Sequence, residues 1–157
     1  MILDERTEFA DAVSVAAAAG TALIGDVINL EKARNIGNGQ PLYLVISVDT
    51  EIITAGAAGS IEFLLVSDAQ AAIATDGTAT VHFRSRAFVT DDAAANDAEL
   101  NAGGVPVCVA IPLEGKVYER YLGILATIAT TTVTAGKINA FLTFNPKAWK
   151  ALDNGIS

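Results

Sequence analysis

Histidine, cysteine and aromatic residues are scarce in this chain, and their scarcity excludes several kinds of site. The 157 residues include one histidine and one cysteine, and aromatic residues make up 6% of the chain. A single cysteine excludes an internal disulfide, and a single histidine excludes a metal site built on two histidines. We interpret Cys108, within the apolar run 105–111, as a buried small hydrophobic residue.

Positive charge is also sparse. Ten Lys and Arg residues stand against 18 Asp and Glu residues, so the formal net charge is −8. The basic residues are scattered, whereas affinity for a phosphate backbone comes from clustered Lys and Arg. No run reaches the roughly 18 uncharged apolar residues that cross a bilayer, and the acidic start does not resemble a signal peptide. We therefore expect neither nucleic acid nor a membrane as partner, and synthesis in a cytoplasm.

Short alternating runs of apolar residues dominate what is present. Apolar residues make up 52% of the chain, and their period of two is typical of antiparallel strands that pack on one face. The pattern predicts eight strands, near residues 8–15, 22–30, 42–49, 60–67, 79–90, 105–112, 120–129 and 137–145. Eight strands joined by glycine-containing turns predict an all-β fold, a jelly-roll-like antiparallel β-sandwich.

The chain length suits one domain, residues 1–157, with an N-terminal arm over 1–8 and a C-terminal tail over 146–157. Thr134 to Gly136 has the composition of a turn before the last strand. Two connections are longer. We expect one helical turn within Asp68 to Thr75, and a short helix or a mobile flap in the acidic loop from Asp91 to Gly104.

His82 is the one histidine available as a general base. Alternation in the fifth strand places it on a polar face with Arg84 and Arg86, opposite Val81. A Ser-His-Asp triad or a pair with Cys108 would require His82, but an exposed or interface histidine is the simpler interpretation. The sequence holds no Walker motif and no Gly-x-Ser-x-Gly. We therefore expect that the protein is not an enzyme, with no catalytic residue and no cofactor.

Carboxylates offer one further alternative. Asp91, Asp92, Asp97 and Glu99 are of the type that binds calcium, which prefers oxygen ligands. Their spacing lacks an ordered Asp-x-Asp-x-Asp pattern, so we favour a solvated acidic loop and predict no metal site. A glycosidase needs two carboxylates positioned across a sugar-binding cleft, and nothing in the sequence marks such a pair.

Three stretches of the chain carry a family resemblance. They are the opening MILDERTEFADAV, then INLEKARNIGNGQPLYLVISVD, and late in the chain KVYERYLGILATIATTTVTAGKINAFLTF. In this order they resemble the capsid cement proteins of tailed bacteriophages, of the type that coats a Bordetella phage head. The features include Ile-Gly-x-Gly-x-Pro-Leu-Tyr-Leu and Arg120-Tyr121-Leu122 at the start of a strand. The loop 91–104 and the tail after Asn145 lie outside the resemblance.

The resemblance implies a jelly-roll protein that is made in the host bacterial cytoplasm and binds the outer surface of the phage head. There it would bridge major capsid protein subunits and stabilise the shell, as a homo-oligomer at a capsid symmetry axis. The sequence leaves one alternative open, a carbohydrate- or receptor-binding jelly-roll module on a virion surface. Such a module needs an aromatic platform or a polar pocket.

Both termini carry apolar residues outside the predicted sandwich. The candidate contacts with the capsid or with other copies are Met1, Ile2, Leu3, Trp149 and Leu152. Burying one such side chain contributes about 1.5–3 kcal/mol, against an ordering cost of about 1–2 kcal/mol per residue. We expect at least one terminus to be an anchoring arm, with Trp149 as the first candidate because aromatic residues dominate interface energetics. The alternative is that Trp149 caps its own sandwich.

Overall fold

The structure, a computed structural model, describes residues 5–33, 36, 39–92, 95–112 and 115–146. Two 3-10 turns are present, Glu5–Thr7 and Ala98–Leu100. The strands, in chain order from β1 to β9, are Glu8–Ser14, Gly20–Asn29, Tyr43–Thr54, Gly59–Asp68, Thr80–Arg84, Phe88–Thr90, Val107–Ala110, Tyr121–Ala129 and Val133–Thr143. No helix in these ranges is long and apolar enough to cross a membrane.

The strands form two antiparallel sheets. Sheet 1 has the order β1-β9-β3-β7, and sheet 2 has the order β2-β8-β4-β5, with β6 also paired to β4. Successive parts of the chain alternate between the sheets, and β5 and β6 act as two halves of one edge strand. This connectivity is that of a jelly roll, so the predicted fold class is confirmed.

One continuous apolar core fills the space between the sheets. Alternate residues of the central strands supply it, as period-two patterning requires. On β8 they are Leu122, Ile124, Ala126 and Ile128, the set that sequence alternation placed on one face. The core members on the partner sheet include Leu44, Ile46, Val48, Ile138, Ala140 and Leu142.

The two sheets approach each other closely where β1 crosses β2. Gly25 has a φ of +67°, and a Cβ built on it would lie 1.9 Å from the carbonyl oxygen of Phe9. Only glycine combines this backbone conformation with this contact. The register of β2 against β8 shifts between Ile24 and Ile28, so Gly25 sits in the irregular part of that pairing.

The predicted fifth strand is divided into β5 and β6. His82 lies at an irregularity in β5, so it does not share one regular polar face with Arg84 and Arg86 as expected. Register shifts between Leu65 and Val66 as β4 pairs with β5, and this irregularity breaks the alternation. Phe83 therefore packs on the core, whereas Val81 packs on a second cluster outside sheet 2. Farther along, Phe88 and Thr90 are the buried residues of β6 and Val89 between them is exposed, so the expected apolar row does not form.

Three other sequence-based interpretations are wrong. Thr134 to Gly136 lies within β9 and does not form a turn. A Cβ on Gly136 would come within 3.1 Å of three atoms of Ile52, so this glycine permits close packing of the two strands. Asp68 to Thr75 forms no helical turn beyond the end of β4. Cys108 is exposed, because β7 is an edge strand that turns Val107 inward and the next side chain outward.

Candidate functional site

A polar cluster surrounds His82, the single histidine of the chain. The imidazole Nε2 lies 2.7 Å from the hydroxyl oxygen of Ser67, and the backbone N–H of Glu119 donates to the same oxygen at 3.0 Å. The ring of His82 stacks on that of Tyr118, with centroids 3.8 Å apart. The carboxylate of Glu119 accepts a hydrogen bond from the hydroxyl of Thr80 at 2.7 Å.

Burial controls the protonation of the two rings. It lowers the pKa of His82, and the nearby positive charge of Lys116 lowers it further, while Glu119 acts in the opposite direction. Burial also raises the pKa of Tyr118 to about 12, and the Tyr118 hydroxyl donates to the carbonyl of Pro112 at 2.7 Å. Both rings are therefore neutral at neutral pH. The direction of the Ser67–His82 hydrogen bond is set by which imidazole nitrogen of the neutral ring carries the proton.

The geometry of this cluster suits a structural clamp. A Ser-His pair is the start of a nucleophilic site, but Ser67 is fully buried and its oxygen already bonds two partners. The cluster instead connects β4 and β5 to the segment that leads into β8. Sequence analysis found His82 but not Ser67 or Tyr118, because the irregular pairing of β5 brings them together. Cys108 is on the outer face of the other sheet, so the pair that it could form with His82 is not assembled.

A second polar cluster fixes the acidic loop 91–104. Arg86 contacts the carboxylates of Asp97 at 2.7 Å and Glu99 at 3.2 Å, and its guanidinium lies 4.2 Å from the ring centroid of Phe88. Asp97 also accepts the backbone N–H of Val89 at 2.8 Å. These hydrogen bonds lower the pKa of Asp97, with the bond from Val89 as the largest cause.

The same loop is attached to the core and to sheet 1. Leu100 is fully buried, the side chain of Asn96 donates to the carbonyl of Ile52 at 3.1 Å, and Gly103 and Gly104 exchange backbone hydrogen bonds with Val48. Its described part is therefore held at several points, and it contains the 3-10 turn Ala98–Leu100. This agrees with the short helix among the two expected alternatives. Of its carboxylates, Asp97 and Glu99 pair with Arg86. No group of three or more carboxylate, His or Cys side chains that could hold a metal ion occurs in the described ranges.

An acidic cleft lies where β1 meets β2. Glu5, Glu8, Asp11 and Asp26 are among the residues that line it. Burial raises the pKa of Glu8, and the charges of Asp11 and Glu5 raise it further. The cleft is therefore a local concentration of the chain's negative charge, which repels polyanions and favours basic partners.

The outer face of sheet 2 is covered by the chain itself. Leu64, Val66 and Leu125 on this face pack against Ile73 and Ala79 from the connection between β4 and β5. A Cβ on Gly123 would lie 2.5 Å from the Cδ1 of Ile73, so the small residue lets the loop lie close to the sheet. Within the part of the chain that the structure describes, the large exposed apolar residues are Val89, Val117 and Phe144.

The residues that sequence analysis selected as capsid or oligomer contacts lie outside the described residues. They are Met1, Ile2 and Leu3 at the start of the chain, and Trp149 and Leu152 near its end. Their assignment as contacts therefore stays a prediction. The division into a domain, an N-terminal arm and a C-terminal tail also stays one, although β1 begins at Glu8 and β9 ends at Thr143.

Comparison with known proteins gives one family. None of the curated proteins matches the chain at a significant level. The family model Bbp16 matches residues 9–142, which includes all of the described strands except the first residue of β1 and the last residue of β9. Because this match covers most of the chain and both sheets, the protein belongs to the Bbp16 family, a Bordetella phage protein family.

Proposed function

We propose that this protein is a structural capsid cement protein that binds the outer surface of a phage head. The single observation that carries the proposal is its membership of the Bbp16 family over residues 9–142. In this role the protein bridges neighbouring major capsid protein subunits and stabilises the shell, and its location is the virion. It acts through binding and not through catalysis.

The polar clusters around His82 and Arg86 support this role, because their side chains hold loops in fixed positions. The one histidine is part of a buried clamp, and the arginine that holds the 91–104 loop is engaged in ion pairs. These groups stabilise loops at the ends of the sandwich. A rigid module with fixed loops retains its shape under load, which a shell-stabilising protein requires.

The negative charge of the protein also supports a position on the outside of the phage head. The formal net charge of −8 and the acidic cleft between β1 and β2 disfavour contact with packaged nucleic acid, whose phosphates attract Lys and Arg. On the outer surface, the same charge keeps free copies apart in solution and favours basic regions of the shell during docking.

The assembly that we propose is a homo-oligomer at a capsid symmetry axis. Most soluble oligomers are built from identical chains with closed symmetry, and a shell presents such axes repeatedly. Val89, Val117 and Phe144 are exposed singly, which is normal for a monomer surface, so they do not define the interface. The terminal contacts predicted from the sequence are the first candidates for mutation.

Reconstitution tests this function. Purified protein is mixed with expanded heads that lack it, the heads are sedimented, and the bound protein is quantified across a range of concentrations. We expect saturable binding at a fixed ratio to the major capsid protein, with greater resistance of the heads to heat. Heads that already carry the protein serve as control and should take up none. Binding that does not saturate, or no binding, would contradict the proposal.

A further inference from the structure

A small cavity lies on the outer face of sheet 2, beside the segment that covers this face. Its floor consists of Leu64, Val66 and Leu125, which belong to the second apolar cluster. Its volume is about 110 Å³, and Thr75 and Gly77 at its margin are exposed. The cavity is therefore apolar at its base and open to solvent at its mouth.

One wall of the cavity is the connection between β4 and β5, and two aspartates hold this wall in place. The carboxylate of Asp68 accepts the backbone N–H groups of Gln70 at 3.1 Å and Ala74 at 3.0 Å. The carboxylate of Asp76 accepts hydrogen bonds from the backbone N–H of Thr78 at 3.0 Å and from its hydroxyl at 2.6 Å. Because these bonds fix the loop, the cavity is preformed, as small-molecule sites usually are.

The opposite border of the cavity is polar and presents hydrogen-bond donors. Arg84 is exposed, and among the described residues its side chain bonds Glu62 alone, from Nη1 at 2.7 Å. A guanidinium has further N–H donors in a planar fork. The hydroxyls of Thr21 and Thr127 lie 3.0 Å apart, and one bond between them leaves a hydroxyl proton for another acceptor. The border therefore suits a ligand that carries acceptor atoms.

The charges at this border favour a single carboxylate over a more highly charged anion. The planar fork of Arg84 matches a carboxylate in a two-point contact. Glu62 repels a further negative charge beside Arg84, and this repulsion is stronger for a phosphate dianion than for a carboxylate. Arg86 already contacts two carboxylates, those of Asp97 and Glu99, so this fold contains an arginine that is shared in this way.

The volume of the cavity selects the apolar part of the ligand. An apolar cavity of about 150 Å³ accommodates benzene, so one of about 110 Å³ suits a smaller branched group such as isopropyl. We propose that this cavity binds a short branched aliphatic carboxylate, with its apolar group on Leu64 and Leu125 and its carboxylate on Arg84. A free acid and the C-terminal residue of a polypeptide both offer this chemistry. The proposal goes beyond the cement function and does not depend on it.

Titration of the isotope-labelled protein with isovalerate, followed by NMR, tests the proposal. We expect saturable shifts of the backbone amides that line the cavity, in the millimolar range because so small a ligand makes few contacts. Isovaleramide has the same shape without the charge and should bind at least about ten-fold more weakly. Acetate keeps the charge without the branched group and should be weakened as much.

Two variants separate recognition of the carboxylate from the shape of the cavity. Arg84→Gln and Glu62→Gln break the same ion pair, whose side chains are partly exposed, so both proteins should melt close to the wild type. Arg84→Gln should weaken isovalerate binding about ten-fold, because it removes the charged donor. Glu62→Gln removes a competing negative charge and should bind isovalerate at least as tightly as the wild type.

Filling the cavity provides an independent test. Ala74 lines the cavity, whereas Ala71 lies on the same loop, is exposed and is not part of the lining. Ala74→Leu should abolish isovalerate binding, and the matched control Ala71→Leu should leave it unchanged, while both variants retain cooperative melting.

An acetylated tripeptide that ends in leucine identifies the source of the carboxylate. Its main-chain N–H groups are able to donate to Glu62 or to the threonine hydroxyls, which isovalerate cannot do. Binding several-fold tighter than that of isovalerate supports the site and assigns it to the C-terminal residue of a polypeptide. Equal or weaker binding of the tripeptide supports the site and assigns it to a free acid.

Several results would overturn the proposal. One is the absence of saturable shifts at the cavity, and another is equal binding of isovalerate and isovaleramide or of isovalerate and acetate. A third is equal weakening by Arg84→Gln and Glu62→Gln, because the ion pair would then act only through the shape of the cavity. A fourth is isovalerate binding that survives Ala74→Leu, because the ligand would then lie elsewhere.

Discussion

The ring of His82 lies flat against the ring of Tyr118, with centroids 3.8 Å apart and planes inclined by 15°. Tyr118 is almost fully buried, so this contact joins the irregular part of β5 to the core through an aromatic ring. The neutral form of the imidazole is the one that burial favours. The stability of this end of the sandwich is therefore linked to pH through a single side chain.

Acidification should lower the melting temperature through His82. Burial and Lys116 lower the pKa of His82 in the folded protein below its ordinary value of 6.5, so the unfolded chain binds the proton more readily. The stability that this residue contributes is fully present above the unfolded pKa and decreases as pH falls toward the folded pKa. Melting temperatures measured between about pH 7.5 and about pH 5.5 should decline more in wild type than in His82→Gln. Equal slopes would contradict this linkage.

His82→Gln also separates structure from function. Because His82 is part of a clamp and not of a binding surface, we expect this variant to bind heads normally at neutral pH while melting at a lower temperature. Loss of head binding with an unchanged melting temperature would show that His82 has a direct role in the contact.

Cys108 should react readily with a thiol reagent in the native protein. Its side chain is exposed on the outer face of an edge strand of four residues, Val107–Ala110. We expect a labelling rate close to that of the unfolded chain, measured by release of a coloured thiol. A rate that rises many-fold in denaturant would mean that Cys108 is buried after all.

Gly25→Ala should destabilise the protein far more than Gly77→Ala. Both glycines have positive φ, +67° and +92°, so each substitution carries a backbone penalty of about 1–2 kcal/mol. A Cβ at position 77 meets open space, whereas one at position 25 would lie 1.9 Å from the carbonyl oxygen of Phe9. Overpacking of this kind adds about 1–3 kcal/mol. Urea denaturation of the two variants measures the difference, and equal midpoints would refute the close approach.

Asp97→Asn should loosen the 91–104 loop. The substitution weakens the bonds from Arg86 and from the backbone of Val89, at a cost of about 1 kcal/mol because the site is partly exposed to solvent. Glu62→Gln is the control, since it removes an exposed ion pair with Arg84 and leaves the loop untouched. Limited proteolysis should cut the loop faster in Asp97→Asn only, and identical cleavage of both variants would argue against the clamp.

Sequence alternation predicted the positions of the strands because burial on one face imposes a period of two. It predicted which β8 residues enter the core for the same reason. It failed at β5, where an irregular pairing puts Val81 and Phe83 on opposite faces, and at β6, where Phe88 is buried and Val89 is exposed. It also failed at Cys108, where an apolar run belongs to an edge strand with one face in solvent. The composition of residues 134–136 also predicted a turn at Gly136, although the role of that glycine depends on the side chain of Ile52 on the neighbouring strand.

The polar clusters were less predictable than the strands. Ser67, His82 and Tyr118 are separated along the chain and meet only through tertiary structure. Nothing in their local sequence differs from an ordinary strand or loop. The attachment of Leu100 to the core was likewise hidden, because an acidic, alanine-rich loop has the composition of a solvated segment.

The edge strand beside β4 is interrupted at Ser85, between β5 and β6, and this interruption limits strand pairing between crowded copies of the protein. Ser85 bonds both backbone groups of Phe63, its hydroxyl accepting and its N–H donating at 2.9 Å each, and β5 and β6 are only five and three residues long. A long, regular edge is a template for strand addition between molecules. The broken edge here, together with the four-residue β7, offers neighbouring copies little to extend. At these two edges, many copies can therefore lie side by side at high local concentration without pairing their strands.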